Sequence, residues 1–449
     1  MQLLSQITPE KVALNVQEEH LSFGYLQKAV KEMSQQLQKL PPGILILKAR
    51  HSSLFVIQVL AAFAVEKPIA IISEHSSEVI KALLGTCMTV DAQGELVDFH
   101  QDHSIRPHPE LALILFTSGS TGEIKAVQLS AKNIIANCEA VIKALEFSRV
   151  ENQLLFLPLS YSFGLMGQLL PALKVGVSTK LIHQFTDIKA LLETAEVPQM
   201  WSGVPSHWVA IIRMFALYPE NAPHIKALVS AGAPLPVSLR ESLKHTFPNA
   251  VLYNNYGLTE ASPRVLTYSS QDPLFFKDYA GYPVGDWQIK LSENNELLIK
   301  GNQLMLGYLD NESNARFQDD WLCTGDQAEI LPSGLVAIKG RIDNVVNIAG
   351  EKVNLTEIEQ AICQIEGIKE VVVLAIPDEL YGVRLLVCLE QKYSSIDQNE
   401  QRLAEQFRVH LLPRKLPVSV RFLDKLPRTP NGKPDRKTLL LNFKESGHA

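Results

Sequence analysis

The chain has 449 residues, of which 46% are hydrophobic and 20% are charged, fractions typical of an ordinary soluble globular protein. This length predicts two or three domains, because a single hydrophobic core rarely serves so long a chain. A formal net charge of −6 at pH 7 gives no electrostatic reason to expect binding to nucleic acid or to an acidic membrane.

Cysteine usage and apolar runs indicate where the protein functions. Five cysteines are scattered without a Cys-x-x-Cys pair: Cys87, Cys138, Cys323, Cys363 and Cys388. This pattern favours reduced thiols in a cytoplasmic protein over a disulfide framework or a zinc site. The first residues lack a basic region followed by an apolar core, so no secretory signal is expected. The longest apolar run, residues 54–65, is too short to cross a bilayer and predicts a buried helix.

Hydrophobic periodicity predicts helices and strands in alternation along the first part of the chain. The elements are a helix over 23–40, a strand over 44–47, a helix over 52–65 and a strand over 69–72. Strand, helix and strand at this spacing predict a parallel α/β unit. No element is predicted in the polar segment 73–109. Further on, a helix over 130–145 capped by Ser130 precedes a strand over 154–157.

Residues 111–127, LALILFTSGSTGEIKAV, combine an apolar strand with a loop rich in hydroxyls. Residues 111–115 predict a buried strand. The loop that follows contains Thr117, Ser118, Gly119, Ser120, Thr121 and Gly122. Its N–H and hydroxyl groups can donate to an anion, its glycines admit phosphates close to the backbone, and Lys125 adds positive charge. No glycine directly precedes Lys125, which disfavours the Walker pattern. A solvated Ser/Gly turn is the alternative.

The segment TSGSTGEIKAV resembles the phosphate-binding loop of the adenylate-forming superfamily, which comprises acyl-CoA synthetases, peptide-synthetase adenylation domains and luciferases. Further matching blocks follow in the family's order through nearly the whole chain. The resemblance implies an α/β fold with a large N-terminal adenylate-forming domain of layered α/β sheets and a small mobile α+β C-terminal domain. It implies domain limits of 1–340 and 344–449, with a hinge at 341–343 centred on Asp343.

Three blocks resemble the family's nucleotide site. LVSAGAPL (228–235) matches the loop beneath the adenine ring, and YNNYGLTEASPR (253–264) places an aromatic ring on adenine and a carboxylate on Mg²⁺. WLCTGD (321–326) ends in the aspartate that takes both ribose hydroxyls. The implied contacts are Gly232, Ala233, Pro234, Asn255, Tyr256, Gly257 and Asp326 for the nucleotide, Arg341 for ribose or phosphate, Thr259 as a catalytic group, and Glu260 with Thr121 for Mg²⁺. A Gly-Asp turn and an exposed hairpin arginine are the alternatives for Asp326 and Arg341.

Two other blocks resemble the acyl pocket. PLSYSFGLMG (158–167) supplies Tyr161 and Phe163, WSGVP (201–205) supplies Gly203 and Val204, and Gly232 is shared with the adenine loop. Aromatic packing on the core is the alternative for these side chains. The block 158–167 contains no carboxylate to pair with an α-ammonium, and an unpaired buried ammonium is costly. The sequence therefore predicts an uncharged acyl or aryl carboxylate and poor activity with α-amino acids.

The C-terminal part carries a helix pattern over 356–365 and strand patterns over 370–376 and 385–390. LPRTPNGKPDRK (426–437) resembles the family's terminal signature, which implies that Lys433 bridges the substrate carboxylate and the nucleotide. A solvated basic tail is the alternative. Five residues depart from the family's common pattern: Ile124 and Ala126 on either side of Lys125, and Ala131, Tyr161 and Asn347. They put the shape of the acyl pocket and the second half-reaction in question.

The resemblance implies a ligase that uses ATP and Mg²⁺ to convert a carboxylate into an acyl-adenylate and then into a thioester of coenzyme A. One alternative is a stand-alone enzyme that loads a carrier-protein phosphopantetheine, and another is a nucleotide-binding protein without turnover. Expected partners are a small carboxylic acid and the thiol acceptor, without nucleic acid. The protein itself is expected to be a monomer or a homodimer.

Overall fold

The protein is described from a computed structural model, and the statements below concern the residues whose structure it defines. These residues are 4, 7–16, 19–73, 79–118, 124–194, 196–309, 316–342, 345–348, 351–363, 365, 368, 370–378, 382–390, 407, 418–428 and 434–445. The chain forms two compact units. The larger comprises Met1–Ile289, Ile299–Leu322 and Leu331–Val336, and the smaller comprises Lys290–Leu298, Cys323–Ile330 and Ala337–Ala449.

The strands are numbered in chain order. They are β1 Val12–Val16, β2 Glu19–Ser22, β3 Ile44–Lys48, β4 Ile69–Ile72, β5 Cys87–Val90, β6 Leu96–His100, β7 Leu111–Ser118, β8 Ile124–Ser130, β9 Asn152–Leu155, β10 Ser178–Leu181, β11 Met200–Gly203, β12 Ala227–Ser230, β13 Val251–Gly257, β14 Arg264–Ser269, β15 Tyr282–Pro283, β16 Gln288–Leu291, β17 Glu296–Lys300, β18 Gly307–Tyr308, β19 Phe317–Gln318, β20 Trp321–Ile330, β21 Val336–Arg341, β22 Val345–Ile348, β23 Glu351–Asn354, β24 Val371–Asp378, β25 Gly382–Glu390 and β26 Val418–Leu423.

The α-helices are numbered in the same way. They are α1 Phe23–Leu37, α2 Ser53–Ala64, α3 Val79–Leu84, α4 Ala131–Ala144, α5 Ser162–Gly164, α6 Leu170–Val175, α7 Asp187–Leu192, α8 Pro205–Phe215, α9 Val237–Thr246, α10 Leu355–Ile362 and α11 Arg436–Glu445. A π-helical segment, Leu165–Leu169, joins α5 to α6.

The larger unit contains two extended sheets. One has nine strands in the order β15-β14-β13-β12-β11-β9-β10-β1-β2, and the other has seven in the order β18-β8-β7-β4-β3-β5-β6. The central pairs are parallel and the edges are antiparallel. Buried residues of α4 and α6 pack on the nine-stranded sheet around Val141, Ala172 and Tyr253. Because the central strands of this sheet are parallel, their carboxyl ends lie along the same edge, where ligand sites of such sheets usually lie.

The smaller unit has a sheet in the order β24-β25-β26. Alternate residues of β24 point to opposite faces, because side chains in a strand alternate. Val371 and Val373 pack with α10, whereas Val372 and Leu374 pack with Leu439 of α11.

A further five-stranded sheet consists of β16, β17, β19, β20 and β21, and β22 pairs with β23 as a hairpin.

Most elements predicted from periodicity are confirmed, with ends shifted by a few residues. Helix α2 is buried as expected, Ser130 caps α4 through a hydrogen bond from the Asn133 N–H, and β3 and β4 are parallel. The polar segment 73–109, for which the sequence indicates no particular element, contains α3, β5 and β6. These elements form because β5 gains hydrogen bonds from β3 and α3 packs on the same sheet. The predicted α/β fold with a large N-terminal and a smaller C-terminal domain is confirmed.

Candidate active site

The hydroxyl-rich segment begins within strand β7, which pairs in antiparallel fashion with β8. Strand β7 extends past the predicted strand to Ser118, so that Thr117 pairs with Lys125 and Ser118 with Ile124 of β8. The backbone at Thr117 and Ser118 is therefore extended, which differs from the predicted loop. Residues 119–123, which include Gly119, Ser120, Thr121 and Gly122, lie outside the described residues.

The segment YGLTEASPR makes a sharp turn between two strands of the nine-stranded sheet. A short 3-10 turn, Thr259–Ala261, follows β13, and Ser262 adopts a left-handed conformation with φ of 64°. The turn requires glycine at position 257, because a Cβ there would lie 1.8 Å from the carbonyl oxygen of Pro263. This turn places the side chains of Thr259 and Glu260 beyond the end of β13.

Glu260 is the centre of a buried polar network within the larger unit. The carboxylate is 6% exposed. Its Oε1 accepts hydrogen bonds from the Tyr308 hydroxyl at 2.6 Å and from Nη1 of Arg316 at 3.1 Å. Lys125 Nζ lies 5.3 Å from the centre of the Tyr308 ring. Burial and the neighbouring Glu260 raise the pKa of Tyr308, so its hydroxyl remains a donor at neutral pH.

The segment 158–167 lies against this turn. It is helical from Ser162 onward, and the Oγ of Ser162 lies 3.2 Å from the Oγ1 of Thr259. Tyr161 precedes the helix with an extended backbone, and burial raises the pKa of its hydroxyl. Phe163 is partly buried and packs on the core of the nine-stranded sheet. The structure therefore brings the predicted acyl block and Thr259 together.

The predicted adenine loop follows β12. Gly232 has a φ of 87°, which favours glycine, and Ala233 and Pro234 continue an irregular segment. Asn255 holds three strands together, since its Nδ2 donates to the Ser230 carbonyl at 3.2 Å and its Oδ1 accepts from Thr267 at 2.7 Å. Its amide is thus engaged within the sheet.

WSGVP ends one strand and begins a helix. Gly203 is the last residue of β11, and Val204 precedes α8. The Val204 N–H donates to Nδ1 of His207 at 3.3 Å, so the neutral imidazole carries its hydrogen on Nε2. His207 stacks on Phe185 with a ring separation of 5.0 Å.

Asp326 and Arg341 are neighbours in the smaller unit. Nη1 of Arg341 lies 3.7 Å from Oδ1 of Asp326 and donates to the Thr324 carbonyl at 2.9 Å. The Gly325 N–H donates to Glu296 at 2.7 Å, which fixes the strand just before Asp326. Asp326, predicted to bind ribose, and Arg341, predicted to bind ribose or phosphate, therefore lie together, 15 positions apart in the sequence.

Besides residues 119–122, two more predicted residues lie outside the described residues, namely the proposed bridging lysine, Lys433, and the proposed hinge, Asp343. The sequence predictions also missed Tyr308 and Arg316, the two donors to Glu260. The Gly-Tyr pair at 307–308 carries no chemical signal by itself, and Arg316 follows a polar stretch typical of a surface. Within the described part of the chain, no three acidic, His or Cys side chains cluster to hold a metal ion.

Comparisons with known proteins identify the family of the chain. The sequence profile of the family described as AMP-binding enzyme matches residues 31–309, and that of the AMP-binding enzyme C-terminal domain matches residues 357–433. The first match covers more than half of the chain. Together with the fold, these matches show that the chain belongs to the AMP-binding enzyme family.

Several curated proteins are similar to this chain. A long-chain-fatty-acid–CoA ligase of Bacillus subtilis is 28% identical over 366 residues, which are 77% of this chain and 64% of that ligase. A feruloyl-CoA synthase of an Amycolatopsis species is 29% identical, covering 80% of this chain and 76% of the synthase. A D-alanine–D-alanyl carrier protein ligase of Staphylococcus haemolyticus is 29% identical, covering 73% and 70%. The chain thus spans less than two thirds of the length of the Bacillus ligase.

Solved structures share the fold. ATP-bound MatB from Rhodopseudomonas palustris superposes with a TM-score of 0.84 at 19% identity, covering 99% of this chain and 98% of that chain. The o-succinylbenzoate CoA synthetase MenE of Bacillus subtilis gives 0.78 at 22% identity, covering 97% and 96%. Among the described residues of the present chain, every helix is too short or too polar to cross a lipid bilayer.

Proposed function

We propose that this protein is an ATP-dependent acyl-activating ligase. In the first step a carboxylate attacks the α-phosphate of ATP and gives an acyl-adenylate and pyrophosphate. In the second step a thiol displaces AMP and gives a thioester. The observation that supports the proposal is the arrangement of Lys125, Tyr308 and Glu260. It brings a cation close to an oriented carboxylate, beside the residues that we propose bind a triphosphate and its metal.

The main obstacle to the first step is electrostatic, since two anions must meet. The hairpin donors at residues 117–122 and Lys125 would bind the phosphates, and Thr259 would face them. Tyr308 and Arg316 would orient the Glu260 carboxylate, because both donate to its Oε1. Among the described residues none donates to Oε2, so this oxygen could bind another ligand.

Glu260 fits a role as a magnesium ligand. Mg²⁺ prefers hard oxygen donors and is often held by one or two carboxylates together with substrate phosphates, so a larger cluster of acidic residues is not needed. Thr121 is the second protein ligand that we propose. When bound, Mg²⁺ would neutralise charge on the phosphate oxygens.

The remaining nucleotide contacts follow from the positions of the family blocks. We assign the adenine ring to Tyr256 and to the segment from Gly232 to Pro234, with Asn255 and Gly257 shaping the strand end beside it. We assign the ribose hydroxyls to Asp326, with Arg341 nearby. A carboxylate can accept two hydrogen bonds from a cis-diol.

Lys433 is proposed to bridge the substrate carboxylate and the nucleotide during adenylation. Residues 344–449 are proposed to move about a hinge at 341–343, centred on Asp343, between the two steps. The acyl group would lie near Tyr161, Phe163, Gly203, Val204 and Gly232. The thiol acceptor is proposed to be coenzyme A, with a carrier-protein phosphopantetheine as the alternative. Relatives named as CoA ligases and one named as a carrier-protein ligase support keeping both.

A pyrophosphate-release assay with a panel of carboxylic acids tests this function. We expect release with at least one aliphatic or aromatic acid and weak release with α-amino acids. Addition of coenzyme A should then convert the acyl-adenylate into a thioester. Thioester formation only with a carrier protein would favour the alternative acceptor. ATP binding without pyrophosphate release for any acid would contradict the proposal and favour a nucleotide-binding protein without turnover.

A further inference from the structure

The larger unit contains two equally buried arginines whose guanidinium groups differ in their hydrogen bonds. Arg240 and Arg264 are each 2% exposed. The guanidinium of Arg240 donates to four backbone carbonyls, those of Leu235, Phe275, Lys277 and Tyr279. In contrast, Nε and Nη2 of Arg264 have no hydrogen-bond partner within the described part of the chain. Arg240 is thus an ordinary structural arginine, and Arg264 is not.

Arg264 is held rigidly by its backbone. Its N–H donates to Oδ1 of Asn137 at 3.4 Å, and its carbonyl accepts from the Trp287 indole at 2.6 Å. These contacts fix the first residue of β14 on both sides. The unsatisfied guanidinium is therefore not the result of a loosely placed segment.

The guanidinium lies against the segment predicted to line the acyl pocket. Its Cζ is 5.6 Å from the centre of the Phe163 ring. A Cβ built on Gly167 would lie 3.4 Å from Nη2 of Arg264 and 3.0 Å from the Phe163 ring. The next residue, Gln168, is 1% exposed, and its amide nitrogen and oxygen also lack a described partner. Residues 163–168 thus contact a buried guanidinium and include a buried amide.

A buried cation without a counter-charge is unfavourable, and proteins usually pair it or bind an anion there. Burial lowers the pKa of Arg264 to about 9, so the side chain still carries its charge at neutral pH. A planar guanidinium offers parallel donors that match a carboxylate. The phosphates of ATP already have the β7–β8 hairpin and Lys125, which leaves the acyl group as the source of an anion beside Phe163.

We propose that Arg264 binds a second carboxylate carried by the acyl substrate, so that the acid activated by this protein is a dicarboxylic acid. The inference rests on the proposed function and specifies its substrate class. It differs from the uncharged acyl group predicted from residues 158–167. That prediction rested on the apolar and aromatic side chains of the family blocks and on the lack of a carboxylate in residues 158–167, whereas Arg264 approaches Phe163 from β14.

Pyrophosphate exchange with matched acids tests the inference. A series of straight-chain and aromatic dicarboxylic acids is compared with the monomethyl ester of each, which keeps one carboxylate and removes the other charge. We expect the wild-type protein to prefer a diacid over its ester by about 10- to 100-fold in kcat/KM, the range of one charged hydrogen bond. Arg264→Met should abolish this preference, and Arg264→Lys should restore part of it.

Arg240→Met is the matched control. It removes four satisfied hydrogen bonds, so it should lower the melting temperature while keeping the wild-type preference ratio. Arg264→Met removes a buried charge that has no counter-charge among the described residues, and it should keep or raise the melting temperature of the ligand-free protein. A melting temperature that falls as far as in Arg240→Met would make Arg264 structural and overturn the inference.

The outcomes separate the inference from the proposed function. Two outcomes overturn the dicarboxylate assignment while the ligase function stands. One is exchange with monocarboxylic acids that is at least as fast as with dicarboxylic acids. The other is a preference for dicarboxylic acids that Arg264→Met leaves unchanged. Exchange with none of the acids, in a protein that binds ATP, overturns both.

Discussion

Tyr308 donates a hydrogen bond of 2.6 Å to Oε1 of Glu260, from a position 48 residues further along the chain. Arg316 donates to the same oxygen and lies 2.9 Å from the Tyr308 hydroxyl. The Tyr308 hydroxyl, Nη1 of Arg316 and Oε1 of Glu260 thus form a closed triangle of hydrogen bonds. This geometry fixes the direction of the second oxygen, so Tyr308 and Arg316 are positioning residues for the proposed magnesium ligand.

Tyr308→Phe should weaken adenylation because Glu260 loses one of its two described donors. A hydrogen bond to a charged group contributes about 1.5–3 kcal/mol, which corresponds to a fall of about 10- to 100-fold in kcat/KM. The apparent affinity for Mg²⁺ should fall as well, measured by titrating the metal in pyrophosphate exchange. Tyr253→Phe is the control, because it removes a 2.8 Å hydrogen bond to Glu146 elsewhere in the larger unit. Equal metal dependence in the two variants would contradict the positioning role.

Lys433→Ala should separate the two half-reactions. If Lys433 bridges the carboxylate and the nucleotide, adenylation should fall by about 10²- to 10⁴-fold, as when an aligned electrostatic contact is lost. Thioester formation from a pre-made acyl-adenylate should persist. Lys437→Ala is the control, since Lys437 is exposed at the start of α11. A similar loss in both half-reactions would mean that Lys433 has a structural role.

Asp326→Ala should reduce nucleotide affinity. Removal of the carboxylate leaves the ribose hydroxyls without acceptors, which costs about 1–3 kcal/mol. Calorimetric titration with a non-reacting acyl-adenylate analogue measures this loss. Asp320→Ala provides a control, because that carboxylate is 79% exposed and pairs only with the surface residue Lys300 among described residues. Unchanged affinity in Asp326→Ala would refute the ribose assignment.

His51 should make stability depend on pH. Burial lowers the pKa of His51 below its usual 6.5, and His183 adds to this, although the hydrogen bond to the Leu157 carbonyl opposes it. The unfolded chain therefore takes up a proton before the folded one, and the free energy of unfolding falls as the pH drops below about 6.5. His51→Gln keeps a donor for Leu157 but does not titrate.

Chemical denaturation across this pH range measures the effect. The wild-type protein should lose more free energy of unfolding on acidification than His51→Gln. The exposed His100 of β6 serves as the control, and His100→Gln should follow the wild-type curve. Superposable curves for all three proteins would rule out a contribution from His51.

The sequence by itself determined the elements whose signal is local. The 3.6-residue period of α1 and the short apolar runs of β3 and β4 lie within one segment, so neighbouring residues suffice to predict them. The family blocks are likewise short and contiguous, so the sequence alone is enough to propose roles for Glu260 and Asp326.

Tertiary structure alone decided which distant groups meet. β5 and β6 carry a weak pattern and exist because β3 offers an edge to pair with. Tyr308 and Arg316 reach Glu260 across the turn after β13. Arg264 lies beside Phe163, and its Nε and Nη2 have no hydrogen-bond partner among the described residues. Such contacts depend on strand register and on packing between segments far apart in the chain. Periodicity and motif spacing describe only neighbours along the chain. They therefore contain no information about which buried charged groups form ion pairs or hydrogen bonds in the folded protein.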